Sequence, residues 1–262
     1  MKITVITLFP EMIKAFFAES IIKRAQEKGQ VQIDIVNLRD FSTDNYKTVD
    51  DRPYGGGAGM VIKVDVVVRA LTGILNSKFE ILNKNLSSKT DNLKSKIVLT
   101  SARGVVYNQT KAREYANLDH LVILAGHYEG FDERVSEFVD EEVSIGDFVM
   151  TGGEIPAAAV VDSVVRLLPD VLKKDDATQE ESFFEVSVED LIAAVGEEAR
   201  YLQEAGLQRV RLLEYPHYTR PEDFMGKKVP DVLLSGNHAD IQKWRLQRAY
   251  NITKERRNDF LE

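Results

Sequence analysis

Cysteine is absent from all 262 residues, so the chain can form no disulfide, thiolate nucleophile or cysteine-ligated zinc site; this composition suits a reducing compartment. No apolar run approaches the ~20 residues needed to span a bilayer. The short ITVITLF near the start meets Pro10 and Glu11 where a leader would have small residues, so the expectation is a cytoplasmic protein with no membrane association. There is no internal repeat and no heptad seam. What is present, 44% hydrophobic and 29% charged residues, is the make-up of a globular protein long enough for its own core.

The net charge of −8 argues against a polyanionic partner only until it is located. Residues 170–206 hold 11 acidic against 3 basic residues, whereas residues 207–262 hold 11 basic against 8 acidic. Nucleic-acid binding depends on a local basic surface, so the total does not exclude RNA.

MKITVITLF reads as a strand, EMIKAFFAESIIKRAQEKG as a helix stopped at Gly29, and VQIDIVNL as a second strand, the opening of a parallel α/β sheet. VDVVVRALTGIL reads as a helix, and NKNLSSKTDNLKSK (83–96) as a mobile polar linker. The alternation then resumes with strand KIVLTS, helix QTKAREYANL, strand LVILAG, helix DERVSEFV, strand EEVSIGDFVM and helix EIPAAAVVDSVVRLL. Three domains of the sequence follow: 1–169, an acidic linker with a helical insertion at 170–213, and a small, mostly helical segment at 214–262. Residues 187–206 are expected as an exposed acidic helix.

Four segments concentrate polar chemistry. TVDDRPYGGGAGM (48–60) packs two carboxylates, an arginine, an aromatic and four glycines; a phosphate cradle is one reading, but the Lys-Ser/Thr pair of a Walker loop is missing, and a flexible turn or a loop that orders on a ligand remain. AGHYEGFDERV and SIGDFVMTGGEIPA follow apolar strands, and ligands of α/β sheets bind at the carboxyl ends of strands. With SARG they form three loops that could enclose a small molecule bearing polar and apolar parts; His127 by itself reads as a surface residue, and Asp132 as a helix cap. In the tail, YPHYTRP and SGNHADIQKWRLQR bring cations beside aromatics, the pairing that suits phosphates and stacked bases, although a solvated basic helix reads equally well; Asn237 is a candidate cap.

FPEM, RDF, TVDDRPYGGGAGM, YEGFDERV, SIGDFVMTGGEIPA, DSVVRLLP, LLEYPHYTRPE and VPDVLLSGNHADIQKWR occur in one order between residue 9 and about residue 248, and together resemble the bacterial tRNA (guanine-37-N1)-methyltransferases. The resemblance implies the SPOUT class: an α/β fold whose parallel sheet contains a deep trefoil knot forming the cofactor site, plus a small C-terminal helical domain. Periodicity alone would give an ordinary doubly wound sheet, because threaded chains are rare. The implied reaction transfers a methyl group from S-adenosylmethionine to N1 of guanosine 37 in tRNAs with G at position 36. A homodimer with its sites at the interface is implied, with the tRNA anticodon stem-loop as partner and a magnesium requirement whose ligands the sequence does not identify.

Carried onto this chain, the resemblance assigns the cofactor to Thr100 and Ser101 in the first loop. The second loop contributes Gly126, Tyr128, Glu129 and Gly130. The third contributes Ile145, Phe148, Met150, Gly152, Gly153 and Pro156. The glycine loop would meet tRNA through Asp50, Arg52, Tyr54 and Gly59, and the tail through His217, Tyr218, Arg220, Ser235, Asn237, His238, Lys243 and Arg245. Methylating guanine N1 requires a base for the N1 proton and a cation for charge on O6. The implied cation is Arg166. The implied base is an aspartate just before Ser-Phe, supplied by the opposite subunit.

Here that position is Glu181, preceded by Glu180. Glutamate has a suitable proton affinity, ~4.3 against ~3.9 for aspartate, but its extra methylene changes the reach. Glu180 and Asp176 are substitutes, and an acidic linker without a catalytic member is the alternative. Ala58 and Ala102 stand where the family carries prolines, and an insertion around residues 184–210 precedes LLEYPHY. Two rivals follow: a catalytically impaired tRNA-binding protein of the same fold, and a nucleotide hydrolase using the glycine loop, which lacks its Lys-Ser/Thr partner.

Overall fold

A computed structural model describes residues 1–75, 94–172 and 181–262. Most of the expected linker at 83–96, together with Asp176 and Glu180, lies outside the described residues. The chain divides into two compact units, Met1–Lys173 and Lys174–Glu262.

The first unit is built on strands β1 (Lys2–Thr7), β2 (Gln32–Asn37), β5 (Ser95–Val106), β6 (His120–Ala125) and β7 (Glu141–Ser144), with a two-stranded ribbon of β3 (Asp50–Asp51) and β4 (Val61–Ile62) beside them. The five-stranded sheet has the order β2-β1-β6-β5-β7, and every neighbouring pair is parallel. Because side chains alternate along a strand, Ile3, Val5, Leu121 and Ile123 enter one core while Ile6, Val122 and Leu124 enter another. Helices α1 (Pro10–Phe17), α2 (Ser20–Glu27), α4 (Gln109–Ala116) and α5 (Glu154–Val165) contribute to the first core; α3 (Val64–Leu75) contributes to the second. A sheet covered on both faces explains why its central strands read as continuous apolar runs.

Local chemistry sets the boundaries. Asn108 caps α4 by accepting from Lys111 N, and Asp132 accepts from Arg134 N. The helix expected over 11–29 is two helices, broken at Ala18 and Glu19. The expected strand EEVSIGDFVM keeps only Glu141–Ser144; its glycine lies at φ +152°, and the rest is loop. The helix expected at DERVSEFV is a 3-10 turn over Glu133–Phe138. At the start of β7, Glu141 is partly buried and receives hydrogen bonds from Lys96 (2.9 Å), Tyr115 (2.7 Å) and Lys111. Burial alone would raise its pKa; the bonds from Lys111, Lys96 and Tyr115 outweigh burial and hold it at about 2.

The second unit corrects the expected acidic linker. β8 (Phe184–Ser187) pairs antiparallel with β9 (Arg209–Leu212), and between them lie α6 (Val188–Val195) and α7 (Arg200–Glu204). After β9 come a hairpin of β10 (Asp223–Phe224) and β11 (Lys227–Lys228), then α8 (Asp231–Leu234) and α9 (His238–Arg256). Val186, Leu191, Leu202 and Leu212 share one buried core with Ala249 and Tyr250 of α9. Glu189, Asp190, Glu197, Glu198 and Glu204 are the exposed face of these same elements. The acidity of the insertion is therefore the solvent side of an amphipathic layer, whose apolar side supplies most of this unit's core. Ser187 starts α6 as a reciprocal cap: its hydroxyl accepts from Asp190 N (3.0 Å) and donates to the Asp190 carboxylate.

Candidate active site

Three loops surround a cavity of about 1090 Å³: the irregularity inside β5, where its pairing with β7 shifts between Thr100 and Val105 and where the expected SARG turn falls, and the segments that follow β6 and β7. All twelve residues assigned to the cofactor line it: Thr100 and Ser101 from the middle of β5, Gly126 to Gly130 (bar His127) after β6, and the Ile145 to Pro156 set after β7. This is the position that strand polarity favours for a ligand, and the volume and mixed polar and apolar lining suit a nucleoside-sized molecule.

The loops approach at backbone distance. Gly153 N donates to Gly126 O at 2.6 Å, and His127 bridges Gly152. A Cβ on Gly153 would lie 2.2 Å from Thr100 Oγ1 and 2.7 Å from Gly126 N, so no larger residue fits there without parting two loops. Tyr128 occupies the left-handed region at φ 59°, uncommon for a non-glycine residue and stored at the cavity wall. Together these features leave backbone groups as much of the lining, which fits a cofactor held by main-chain contacts.

The glycine loop is bound to the same wall. Asp50 and Asp51 pair with Ile62 and Val61, closing the loop into a ribbon. The ribbon's second strand continues onto the second cavity loop: Glu129 N donates to Met60 O (3.1 Å), Ile62 N to Gly130 O (2.9 Å) and Asp132 N to Ile62 O (2.9 Å). Arg52 and Tyr54 line the cavity, with Tyr54 fully exposed. Asp50 and Gly59 do not line it, yet a Cβ on Gly59 would collide with Glu129 at 2.4 Å. At the rim Arg103 meets Glu133 at 3.0 Å, and the Arg134 guanidinium beside Asp132 holds that carboxyl below the usual range.

Arg166 follows α5 as its C-terminal cap, half-buried, and is not among the residues lining the cavity. Glu181 belongs to the second unit, where its carbonyl accepts from Phe184 N at 3.0 Å. In that unit Arg245 lies over the Tyr215 ring at 4.7 Å, and Tyr215 meets His217 at 4.9 Å. Arg248 lies over Trp244 at 5.6 Å, and Trp244 meets Tyr218 at 6.2 Å. Ser235, Asn237 and His238 are exposed at the start of α9; Lys243 is exposed further along it, and Arg220 lies in the exposed segment before the hairpin. Asn237 caps α9, accepting from Ala239 N and Asp240 N.

Sequence reasoning missed three participants. Arg103 lines the cavity but carried no motif signal. His127, expected at the surface, is largely buried against Phe9, with ring centroids 4.6 Å apart. Glu154, inside the recognised GGE segment, is 1% exposed, a burial that a charged residue in a helix's first turn does not advertise. Among the described residues no group of three His, Asp or Glu side chains could hold a metal ion, so the magnesium expected from the resemblance has no site that these residues fit. No helix among the described residues is long and apolar enough to cross a membrane.

Comparison with known proteins covers the whole chain. The family described as tRNA (Guanine-1)-methyltransferase TrmD matches residues 1–262. A tRNA (guanine-N(1)-)-methyltransferase of Bacillus pumilus is 46% identical over 263 residues, all of this chain and 92% of that protein. Proteins of the same name from Dictyoglomus turgidum (43% identical, 100% of this chain and 90% of the relative) and Clostridioides difficile (42% identical, 99% and 97%) are similar to a like extent. With the family matched from the first residue to the last and relatives this similar over at least 90% of their length, the chain belongs to the tRNA (guanine-1)-methyltransferase family.

Proposed function

We propose that the chain transfers a methyl group from S-adenosylmethionine to N1 of guanosine 37 in tRNAs with G at position 36, acting as a cytoplasmic homodimer. The observation that carries this reading is the cavity: residues from three separated segments, assigned to the cofactor one by one, line a single space in a chain whose relatives are named for guanine-N1 methylation. We read the three converging loops as the trefoil knot of the SPOUT class.

The bound cofactor supplies a methyl group on a sulfonium, which leaves as a neutral thioether. This chain's residues do the rest. Guanine N1 carries a proton and its lone pair is delocalised, so Glu181 takes that proton as the N1–methyl bond forms. Negative charge gathers on O6, and the Arg166 guanidinium offsets it. Loop glycines such as Gly153 let the backbone come close enough to fix the methyl donor, which matters because near-attack geometry is a large part of the barrier lowering for a transfer between two bound reactants.

The homodimer would bring Glu181 to the partner's cavity. Support comes from Phe148, Val149 and Ile155, large apolar residues left 55%, 88% and 57% exposed on the third loop and α5. The C-terminal unit would take the tRNA, its cations already stacked on rings as phosphate and base contacts require.

The test is methyl transfer from labelled S-adenosylmethionine to two transcripts, one with G at 36 and 37 and one with A at 37, by wild type and Glu181→Gln. Methylation of the first transcript only, lost in the variant, is expected. Transfer that survives the variant moves the base to Glu180, Asp176 or elsewhere. Tight binding of cofactor and tRNA without transfer by wild type would favour a catalytically impaired tRNA-binding protein.

A further inference from the structure

Behind the cavity wall, next to the lining residues His127 and Gly152, lies a buried carboxylate that the chemistry above does not use. Glu154 stands in the first turn of α5 with its side chain 1% exposed. Thr7 Oγ1, at the end of β1, donates to Glu154 Oε1 at 2.7 Å and accepts from Phe9 N at 2.9 Å, so the carboxylate's orientation is fixed from one side. Its other oxygen, Oε2, is buried and has no hydrogen-bond partner among the described residues; the same is true of His127 Nδ1. The two atoms face each other at 3.6 Å, too far for a hydrogen bond.

Their setting joins both glycine-bearing loops. His127 belongs to the second loop and lines the cavity; Glu154 follows directly on Gly152 and Gly153 of the third. Gly152 sits against both atoms: a Cβ there would lie 2.2 Å from Glu154 Oε2 and 2.5 Å from His127 Nδ1. The imidazole is held between Phe9 (4.6 Å) and Tyr128 (5.1 Å). A shift of less than about 1 Å would bring Nδ1–H onto Oε2 as a charge-assisted hydrogen bond.

We infer that Glu154 is a positioning residue for the cofactor loops: binding an adenosine-bearing cofactor draws His127 Nδ1–H onto Glu154 Oε2 and clamps the second loop to the third. Glu154 does not touch the cofactor; it acts through His127, whose ring neighbours Tyr128. The inference rests on reading this cavity as the S-adenosylmethionine site.

Two measurements on the full-length chain test it. With histidine labelled by 15N and S-adenosylhomocysteine as the probe, saturation should move the His127 Nδ1 resonance to that of a hydrogen-bonded N–H, and Glu154→Leu should abolish the movement. In steady-state assays Glu154→Leu should raise KM for S-adenosylmethionine about tenfold while kcat and the tRNA KM change less than about twofold. Thr7→Val, which frees Oε1, should show the same split at about threefold. A merely structural role would lower the active fraction, and with it kcat, without a selective KM effect. An unmoved His127 resonance in the wild type, or a folded Glu154→Leu with unchanged KM, would overturn the inference. Phe148→Ala, which removes a cavity-lining ring away from the pair, separates this failure from the larger one: unchanged S-adenosylhomocysteine affinity there would sink the cavity assignment itself.

Discussion

The cavity of the first unit and the aromatic face of the second are built in opposite ways. Around the cavity, the second and third loops touch through glycine backbone, with Gly153 N only 2.6 Å from Gly126 O, and Thr100 of the first packs against Gly153. On the second unit the surface is made of long side chains, Arg245 over Tyr215 and Arg248 over Trp244. A site built from backbone is broken by adding atoms; a site built from side chains is broken by removing them. The contrast suits the two ligands proposed: a small cofactor must be fixed to within a fraction of an ångström, whereas a polyanion is held by the sum of several separate charges.

The sharpest way to break the comparison is to add one carbon at Gly153. Its φ of −85° is open to any residue, so Gly153→Ala carries no backbone strain, and the whole cost is steric. The new methyl would meet Thr100 Oγ1 at 2.2 Å, Gly126 N at 2.7 Å and the Ala125 Cα at 3.0 Å. Relief requires the first or second loop to retreat by about 1 Å, a displacement that costs on the order of a hundredfold. Methyl transfer should show at least that loss and calorimetry with S-adenosylhomocysteine a weaker affinity, with tRNA affinity nearly unchanged. Equal cofactor affinity would mean that the loops yield easily and that backbone contact does not define the site.

Removing atoms from the other face should do less to the cofactor and more to the tRNA. If Lys243, Arg245 and Arg248 each meet a phosphate, replacing all three with alanine should weaken tRNA binding about thirtyfold near physiological salt and reduce the slope of log affinity against log salt by about 2. Filter binding across a salt series measures both quantities. Weaker binding with an unchanged slope would assign these residues to stacking, because a lost ring contact carries no counterion release.

These two constructions also explain what the sequence could disclose. β1, β6 and α3 were legible because the two buried parallel strands are mostly apolar and α3 carries a full helical period. The cavity loops were legible through resemblance and glycine content, not periodicity. Two features escaped. The layer formed by β8, α6, α7 and β9 read as an exposed acidic linker because its charges are about as frequent as its core residues, although FEVS and RVRL alternate as half-buried strands do. The Glu154 and His127 pair escaped because each belongs to a loop whose partner is distant in sequence; only the contact of the second and third loops brings them together.

Asn237 sets the smallest and most discriminating test, because on the second unit it serves both the backbone, as a cap, and the exposed side-chain face. Its side chain accepts from Ala239 N and Asp240 N and donates to the Asp240 carboxylate at 2.7 Å, the work of a helix cap. It is also exposed, at the start of the helix that carries Trp244, Arg245 and Arg248. Asn237→Ala removes the cap and should destabilise the second unit by about 1 kcal/mol in denaturant titration. Asn237→Ser keeps a capping oxygen but shortens the reach toward any ligand. If tRNA affinity falls about threefold in the alanine variant and recovers with serine, Asn237 acts by holding the start of α9, and the RNA feels only the helix. If both variants lose affinity while serine retains stability, the amide itself meets the nucleic acid, and the face extends past the cations and rings to the cap of the helix that bears them.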